Sequence, residues 1–270
     1  MQLVEGFIGS GTLTGGAHTT RGLPGQDYAT TGVTRTSMWG VVCDGCSGGG
    51  SDVGLGAGAM GRVAFEYLSE PLALDALIET PQAVDAALLA GLRLWEPLLG
   101  TENLLATAVM AKIEGSRLAV RMWGDGGFAL FHSDGSMTWR WAYYTDNTPG
   151  YLAYRLREGL TPPEFNDNRE RFRVKEYRVP LGEEPEFLQE TQPEPLWCFD
   201  TVKEDICGFA LFTDGIETLR QRAGADVLME LVRAYGQRVP LNDALGTCAI
   251  DWQDKGEYPA DDLAVVLAHW

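Results

Sequence analysis

The sequence predicts an α+β fold, with residues 1–270 forming a single domain. Short apolar runs of strand length recur along the chain, and several are joined by tight turns that contain glycine. Other stretches repeat small or apolar residues at helical spacing, which is typical of helices that pack on a core. No linker and no internal repeat separates two halves of the sequence. Because 45% of the residues are hydrophobic, the chain can bury the core that one domain of this length needs.

The first elements are expected to be a buried strand and two helices. Residues 37–43 are apolar nearly throughout, which indicates a strand that is buried on both faces. Small and apolar residues at helical spacing predict a helix over 51–68. A Thr-Pro pair at 80–81 marks the start of a second helix, whose end is expected at Pro97 and Gly100.

The rest of the chain is expected to alternate between strands and helices. The predicted strands are 104–113, 117–123, 128–132, 137–143, 172–179, 206–212 and 263–268. Helical patterns cover 225–235 and 243–252. Residues 145–170 are rich in Pro, Asn, Gly and charge and predict an irregular segment, and the acidic stretch 183–195 predicts a surface loop.

The charge balance excludes two classes of partner. The chain has 38 acidic and 21 basic residues, a formal net charge of −17, and its lysines are scattered. Phosphate backbones and anionic lipid surfaces would repel such a chain, so no nucleic acid and no membrane partner is expected. The five cysteines form no metal-binding or disulfide pattern, and no secretory signal or membrane-spanning run is evident. We therefore expect a reduced, cytoplasmic protein.

Aspartates mark the ends of three predicted buried strands. Asp44, Asp214 and Asp261 occupy these positions, and Asp125 lies in a predicted hairpin turn. Turn chemistry alone explains any one of them, because Asp-Gly is a favoured turn pair. Several carboxylates held close together, however, need cations between them. The pattern thus favours a site for divalent cations bound through oxygen.

A family resemblance rests on five motifs in order. Residues 38–49, Met-Trp-Gly-Val-Val-Cys-Asp-Gly-Cys-Ser-Gly-Gly, resemble the "hydrophobic strand, Asp-Gly-x-x-Gly-Gly" signature of the metal-dependent type 2C (PPM) protein phosphatases. The Gln-Asp pair at 26–27, preceded by His18 and Arg21, is similar to the form in bacterial members. Residues 120–126, 209–215 and 261–266 resemble the remaining three motifs.

The resemblance implies a centre that holds two Mn²⁺ or Mg²⁺ ions. Asp44 would bridge both ions, and the carbonyl of Gly45 would bind one of them. Asp214 and Asp261 would bind the other ion, and Asp125 would join Asp214 in a third metal position. Oxygen ligands suit Mg²⁺ and Mn²⁺, and two close cations lower the pKa of a bridging water.

Two further residues would act on the substrate in such a site. Asp27 would lie beside the metal-bound water, and Arg21 would hold the substrate phosphate through its guanidinium fork. Arg21 stands one residue further from Asp27 than is common in the family, so Arg35 or Arg62 is an alternative.

This sequence departs from the family at two more positions. Cys46 stands where many eukaryotic members have a histidine that is proposed as a general acid, and we expect its side chain to fill a small apolar gap. Gln26 occupies a position that is usually Glu or Asn, which can alter the surroundings of one metal.

The family also implies an architecture and a function. The expected fold is a four-layer α-β-β-α sandwich with two mainly antiparallel sheets. The expected activity is the hydrolysis of phosphoserine or phosphothreonine by a metal-activated water. The expected substrate is a protein that a cognate Ser/Thr kinase has phosphorylated, and the enzyme is expected to be a monomer. An inactive pseudophosphatase that serves as a regulatory binding module is the alternative. The Gly-x-Gly-x-x-Gly run at 56–61 is interpreted as helix packing rather than as a dinucleotide site.

Overall fold

A computed structural model describes residues 6–46, 54–145, 149–156, 171–180, 185–191, 196–199, 205–219, 223–236 and 239–270. The strands are β1 (Phe7–Leu13), β2 (Tyr28–Val33), β3 (Ser37–Cys43), β4 (Ala108–Glu114), β5 (Arg117–Trp123), β6 (Gly126–His132), β7 (Met137–Tyr144), β8 (Phe172–Val179), β9 (Glu186–Thr191), β10 (Leu196–Phe199), β11 (Ile206–Phe212) and β12 (Leu263–His269). The helices are α1 (Gly16–Thr19), α2 (Leu55–Ser69), α3 (Ala73–Glu79), α4 (Pro81–Leu99), α5 (Gly224–Tyr235) and α6 (Leu241–Asp254).

The strands form two antiparallel sheets. The seven-stranded sheet has the order β1-β12-β11-β6-β7-β8-β9, and the five-stranded sheet has the order β10-β5-β4-β3-β2. All the pairings are antiparallel. The mainly antiparallel α+β class predicted from the sequence is therefore confirmed.

Three layers of buried side chains hold four layers of secondary structure together. Residues such as Val42 and Phe209 fill the space between the two sheets. On the outside of the five-stranded sheet, Met60 of α2 packs in one cluster with β3 and β4. On the outside of the seven-stranded sheet, Leu228 of α5 and Trp252 of α6 pack against β11 and β12. Burial of these apolar faces on both sides of each sheet produces the predicted α-β-β-α sandwich.

Several strands lie where the sequence predicts them. Strands β8 and β11 have the predicted bounds, and β12 extends the predicted strand by one residue. Helix α2 begins at Leu55, and residues 51–53 of the predicted helix lie outside the described residues. Helix α4 continues through Pro97 and ends before Gly100, whose φ of 75° breaks the helix.

Several predictions from the sequence are wrong. The predicted strand 104–113 is shorter, because residues 101–104 form a 3₁₀ turn and β4 begins at Ala108. The predicted loop 183–195 contains β9, an edge strand that is exposed throughout and so lacks the alternation that indicates a strand. The sequence analysis does not predict strands β1, β2 and β10 or helices α1 and α3. In the segment 145–170, a 3₁₀ turn covers 152–156, and 146–148 and 157–170 lie outside the described residues.

The turn that contains Asp125 does not close a hairpin. Strand β5 lies in the five-stranded sheet and β6 in the seven-stranded sheet, so this turn passes from one sheet to the other. Gly124 and Gly126 flank Asp125 with φ angles of 85° and 122°, which residues other than glycine rarely adopt. The turn thereby places Asp125 between the ends of both sheets.

No helix within the described residues is long and apolar enough to cross a membrane.

A buried lysine fixes the end of α2 on the five-stranded sheet. Lys112 of β4 is 2% exposed, and its Nζ donates hydrogen bonds to the carbonyls of Leu68 (2.9 Å) and Glu70 (2.8 Å). These carbonyls lie at the C-terminal end of the helix, where backbone N–H partners are lacking. Burial lowers the pKa of Lys112, and the nearby Glu114 opposes this change.

Replacing this lysine should destabilise the fold. Lys112→Met keeps the apolar stem but leaves two helix carbonyls without a donor, so we expect the free energy of unfolding to fall by about 2 kcal/mol. Urea denaturation measures the change. The control Lys255→Met removes an exposed ion pair with Asp251 and should leave the free energy of unfolding nearly unchanged. Equal effects of the two substitutions would contradict the assignment of Lys112.

Candidate metal centre

Two aspartates meet at one end of the five-stranded sheet. Asp27 directly precedes β2 and Asp44 directly follows β3, and Tyr28 pairs with Cys43 across these antiparallel strands. The two carboxyl groups are therefore neighbours, and they share a hydrogen bond. The backbone of this pair is held by the antiparallel pairing of β2 with the fully buried strand β3, so the chain has little freedom to separate them.

Two more aspartates meet at one end of the seven-stranded sheet. Asp214 follows β11 after Thr213, and Asp261 precedes β12, while Phe212 pairs with Val265. Electrostatic interactions of Asp44 with both Asp125 and Asp261 show that the ends of the two sheets face the same space. The structure thus brings together the five aspartates that the sequence analysis selected.

Burial and mutual repulsion raise the pKa values of the carboxyl groups of Asp27, Asp44, Asp125 and Asp214. Burial, with the charges of Asp125 and Asp261, raises the pKa of Asp44 to about 7. Burial and the charge of Asp214 raise the pKa of Asp125 to about 7. Burial and the charges of Asp44 and Asp261 raise the pKa of Asp214 to about 8. Burial and Asp44 raise the pKa of Asp27 well above its ordinary value.

Such a group of carboxyl groups fits a divalent cation. Each group resists ionisation because it loses contact with water and faces other carboxylates. A cation that prefers oxygen ligands removes this resistance, since it supplies the missing positive charge. We infer that the donor set, which is rich in carboxylate oxygen, suits Mg²⁺ or Mn²⁺.

Two glycines allow the chain segments of the site to approach closely. A Cβ on Gly45 would lie 2.7 Å from the carbonyl oxygen of Gln26, and a Cβ on Gly215 would collide with the carbonyl oxygen of Asp262. Gly45 also forms an isolated antiparallel bridge with Ala106. Close backbone packing therefore requires glycine directly after Asp44 and directly after Asp214.

A threonine connects the two sheets at this end. The Thr213 hydroxyl donates a 2.6 Å hydrogen bond to Oδ2 of Asp27 and accepts one of 2.8 Å from the backbone N–H of Ala264. Thr213 is 1% exposed, so the bond is shielded from water. Thr213, which directly follows β11 of the seven-stranded sheet, thereby orients the carboxyl group of Asp27.

A tighter group of ligand atoms lies beside the aspartates. Among the described residues, His18, Asp261 and Asp262 place ligand atoms within 4.8 Å of one another. Asp261 is exposed, whereas Asp262 is 2% exposed and lies 2.9 Å from Nδ1 of His18. The sequence analysis selected Asp261 alone from this group.

Comparison with known proteins identifies the fold. No protein-family model and no curated protein matches the sequence. Among solved structures, serine/threonine phosphatase Stp1 from Staphylococcus aureus aligns with a TM-score of 0.57 and 13% identity, over 100% of this chain and 97% of that chain. Serine-threonine phosphatase 2C from Toxoplasma gondii aligns with a TM-score of 0.58 and 14% identity, over 100% and 96%. The chain has the type 2C phosphatase fold.

A third solved structure with this type 2C fold was determined with a metal ion. RsbX in complex with magnesium aligns with a TM-score of 0.50 and 14% identity, over 99% of this chain and 98% of that chain. The resemblance predicted from the motifs is confirmed at the level of the fold.

Arg21 lies in a turn directly after α1. Its side chain is exposed, and the described residues offer it no ion pair. Its backbone N–H donates to the carbonyl of His18 at 3.0 Å. Within the described part of the chain, the guanidinium thus has no carboxylate partner.

Cys46 does not fill an apolar gap. Its side chain is exposed, in contrast to the expectation, while Cys43 in β3 is buried. Burial, and then a hydrogen bond to the Cys46 thiol, raises the pKa of Tyr151. Tyr151 also interacts electrostatically with Asp44 and Asp125, so it lies at the site. Sequence reasoning missed Tyr151, because the segment around it has no periodic pattern.

The glycine-rich run at 56–61 lies inside α2. Larger residues would collide there: a Cβ on Gly56 would lie 2.5 Å from the carbonyl oxygen of Asn103, and a Cβ on Gly61 would overlap the ring of Tyr28. The run therefore permits close packing of the helix, as the sequence analysis interpreted it.

Without metal, the stability of the protein should fall as the pH rises. Asp44, Asp125 and Asp214 have an ordinary pKa of 3.8, and their folded pKa values of about 7, 7 and 8 are higher. Between about pH 4 and pH 8 the folded state therefore binds more protons than the unfolded state. This contribution to stability is full below the unfolded pKa and is lost as the pH passes through the folded values.

Thermal unfolding in a chelator at pH 5, 6, 7 and 8 measures this loss. We expect the midpoint temperature to fall across the series, and Mn²⁺ to raise it more at pH 8 than at pH 5, because a cation replaces the protons. The control Asp214→Asn should flatten the decline. A metal-free midpoint that is constant or rises from pH 5 to pH 8 would contradict the assignment.

Proposed function

We propose that this protein is a metal-dependent phosphatase that removes phosphate from phosphoserine or phosphothreonine in proteins. The observation that carries the proposal is the meeting of five aspartates from two sheets at one end of a type 2C phosphatase fold. Structures with this fold include serine/threonine phosphatases, and one of them is a complex with magnesium.

Four aspartates and one glycine would hold the cations, as the motifs imply. Asp44 would be shared between two ions, the Gly45 carbonyl would bind one of them, and Asp214 and Asp261 would bind the other. Asp125 would bind a third ion together with Asp214, whose charge acts on it in the structure. Bound Mn²⁺ or Mg²⁺ would lower the pKa of water and neutralise charge on the phosphoryl group.

The chain's own residues would orient the substrate and move a proton. Asp27 is fixed at Oδ2 by the Thr213 hydroxyl, so its other oxygen has a defined direction from which to accept a proton from the attacking water. The exposed guanidinium of Arg21 would bind two phosphate oxygens through parallel N–H donors. With the phosphate held, attack and proton transfer would proceed within one bound complex.

The proposal extends to the protein's setting. We infer one domain, a monomeric and cytoplasmic protein, and a phosphoprotein substrate that a Ser/Thr kinase produces. The net charge of −17 supports a substrate that is neither nucleic acid nor a membrane surface.

Substitution of the proposed metal ligands should abolish activity and leave the fold intact. Asp44→Asn, Asp214→Asn and Asp261→Asn each remove one carboxylate, so we expect turnover of a phosphothreonine peptide to fall more than ~100-fold and Mn²⁺ affinity to weaken. A Mn²⁺-dependent assay with and without chelator, together with calorimetric titration of Mn²⁺, measures both effects. Asp251→Asn, on the exposed face of α6, is the control.

Unchanged Mn²⁺ affinity in all three variants would make the metal assignment wrong. A wild-type protein that binds Mn²⁺ but hydrolyses neither p-nitrophenyl phosphate nor the peptide would instead support a regulatory binding module.

Asp125 should matter for turnover more than for the tightly bound ions. If it holds only a third ion, Asp125→Ala should keep the affinity of the tight pair within about threefold and lose most of the turnover at saturating Mn²⁺. Calorimetry and steady-state kinetics on one protein preparation separate the two quantities. Wild-type turnover in this variant would reduce Asp125 to an ordinary turn residue.

A further inference from the structure

One buried carboxylate closes the segment that carries Arg21. Asp262 accepts a hydrogen bond from the backbone N–H of Gly15 at Oδ1 (2.6 Å) and from that of Gln26 at Oδ2 (2.5 Å). Oδ2 also lies 2.9 Å from Nδ1 of His18. A single side chain directly before β12 therefore contacts the start, the middle and the end of segment 15–26.

The middle contact leads directly to the turn with Arg21. The carbonyl of His18 accepts the backbone N–H groups of Arg21 and Leu23, both at 3.0 Å. Asp262 lies against the His18 ring without a hydrogen bond of normal geometry to Nδ1, so it packs beside the residue on which this turn is built. The start of the segment is also held by the backbone N–H groups of Gly16 and Ala17, which donate to the carbonyls of Pro259 (2.9 Å) and Ala260 (3.0 Å). Loss of Asp262 would therefore release mainly the part of the segment between His18 and Gln26, whose ordering costs conformational entropy.

Asp262 differs from its neighbour Asp261 in what its oxygens already bind. Both Asp262 oxygens accept backbone N–H groups from a distant segment, and the residue is 2% exposed, whereas Asp261 is exposed. Hydrogen bonds from N–H donors to a carboxylate are strong because the acceptor is charged. Both oxygens of Asp262 are therefore occupied by hydrogen bonds from the backbone, whereas Asp261 has an exposed carboxylate that can bind a cation.

We propose that Asp262 is a positioning residue for the phosphate-binding turn: it ties segment 15–26 to the start of β12 and so determines where the Arg21 guanidinium stands relative to the substrate phosphate. This inference rests on the proposed phosphatase function. Asp27, which directly follows the same segment, keeps its separate hydrogen bond from Thr213, so the loss of Asp262 should affect phosphate binding more than the chemical step.

Asp262→Asn tests the proposal. An amide has one acceptor oxygen, and its NH₂ group would face a backbone N–H, so one end of the segment is released. At saturating Mn²⁺ we expect KM for a phosphothreonine peptide and the inhibition constant of inorganic phosphate to rise ~10-fold. We expect kcat to change less than about threefold. Mn²⁺ affinity, measured by calorimetry, should stay within about twofold of the wild type.

Two further variants complete the design. His18→Phe removes only the middle contact and should raise both constants in the same direction by a smaller factor; it carries the test if Asp262→Asn does not fold. Asp251→Asn, an exposed aspartate paired with Lys255, is the matched control and should change neither constant. A drop in Mn²⁺ affinity of ~10-fold or more with unchanged phosphate affinity would overturn the proposal, because Asp262 would then be a metal ligand.

Amide hydrogen exchange separates this inference from the proposed function. In the Mn²⁺-loaded protein, the backbone amides of segment 15–26 should exchange faster in Asp262→Asn than in Asp251→Asn. If the wild type lacks phosphatase activity, the proposed function fails, while faster exchange together with weaker phosphate binding still supports the positioning role. Unchanged exchange and unchanged phosphate affinity in a folded Asp262→Asn would overturn it.

Discussion

Carboxyl groups at the joined ends of the two sheets repel one another, and the surrounding scaffold must hold them in spite of this repulsion. Each group is partly removed from water and faces others of the same charge, which raises the pKa of Asp44 and Asp125 to about 7 and of Asp214 to about 8. Flexible loops would relieve the strain by moving apart. Here the aspartates adjoin strands whose faces are buried in three apolar clusters, so the repulsion has to be met by protons or cations instead.

Hydrogen bonds between the layers orient groups that the strands alone do not orient. The Thr213 hydroxyl reaches from the seven-stranded sheet to Asp27 at the end of the five-stranded sheet. Asp262 reaches from the start of β12 to Gly15 and Gln26, and thus holds the segment that leads into β2. The bond to Asp27 and the bond to Gln26 both cross between the sheets. The relative position of the two sheets is therefore coupled to the geometry of the site, since a shift of one sheet would change both contacts.

The sequence predicts best those parts of the fold that are decided by burial on both faces. Strands β3, β8, β11 and β12 could be recognised because apolar residues dominate or alternate within them. Strand β9 could not, because an exposed edge strand has no apolar face to show a period. Asp44, Asp125 and Asp214 were found because Asp-Gly pairs recur at the ends of predicted strands, and Asp261 because it precedes a buried strand. Asp27 was found only through the resemblance to a known family. The roles of Thr213, Tyr151 and Asp262 depend on contacts between residues that are more than 100 positions apart, or on a segment without a pattern, so no local signal contained them.

A cluster of partly buried like charges has a cost that argues for chemistry at this site. A protein that only presented a binding surface would gain stability by replacing Asp44 or Asp214 with a neutral residue of similar shape, because the repulsion would vanish and the turns would remain. Catalytic centres typically contain several residues, on separate elements, whose charges destabilise the fold locally. In this chain the unfavourable groups adjoin β2, β3 and β11 or lie in the turn between the sheets, and they face one space. That convergence supports the proposal of a cation-binding centre over an interpretation of these aspartates as independent turn residues.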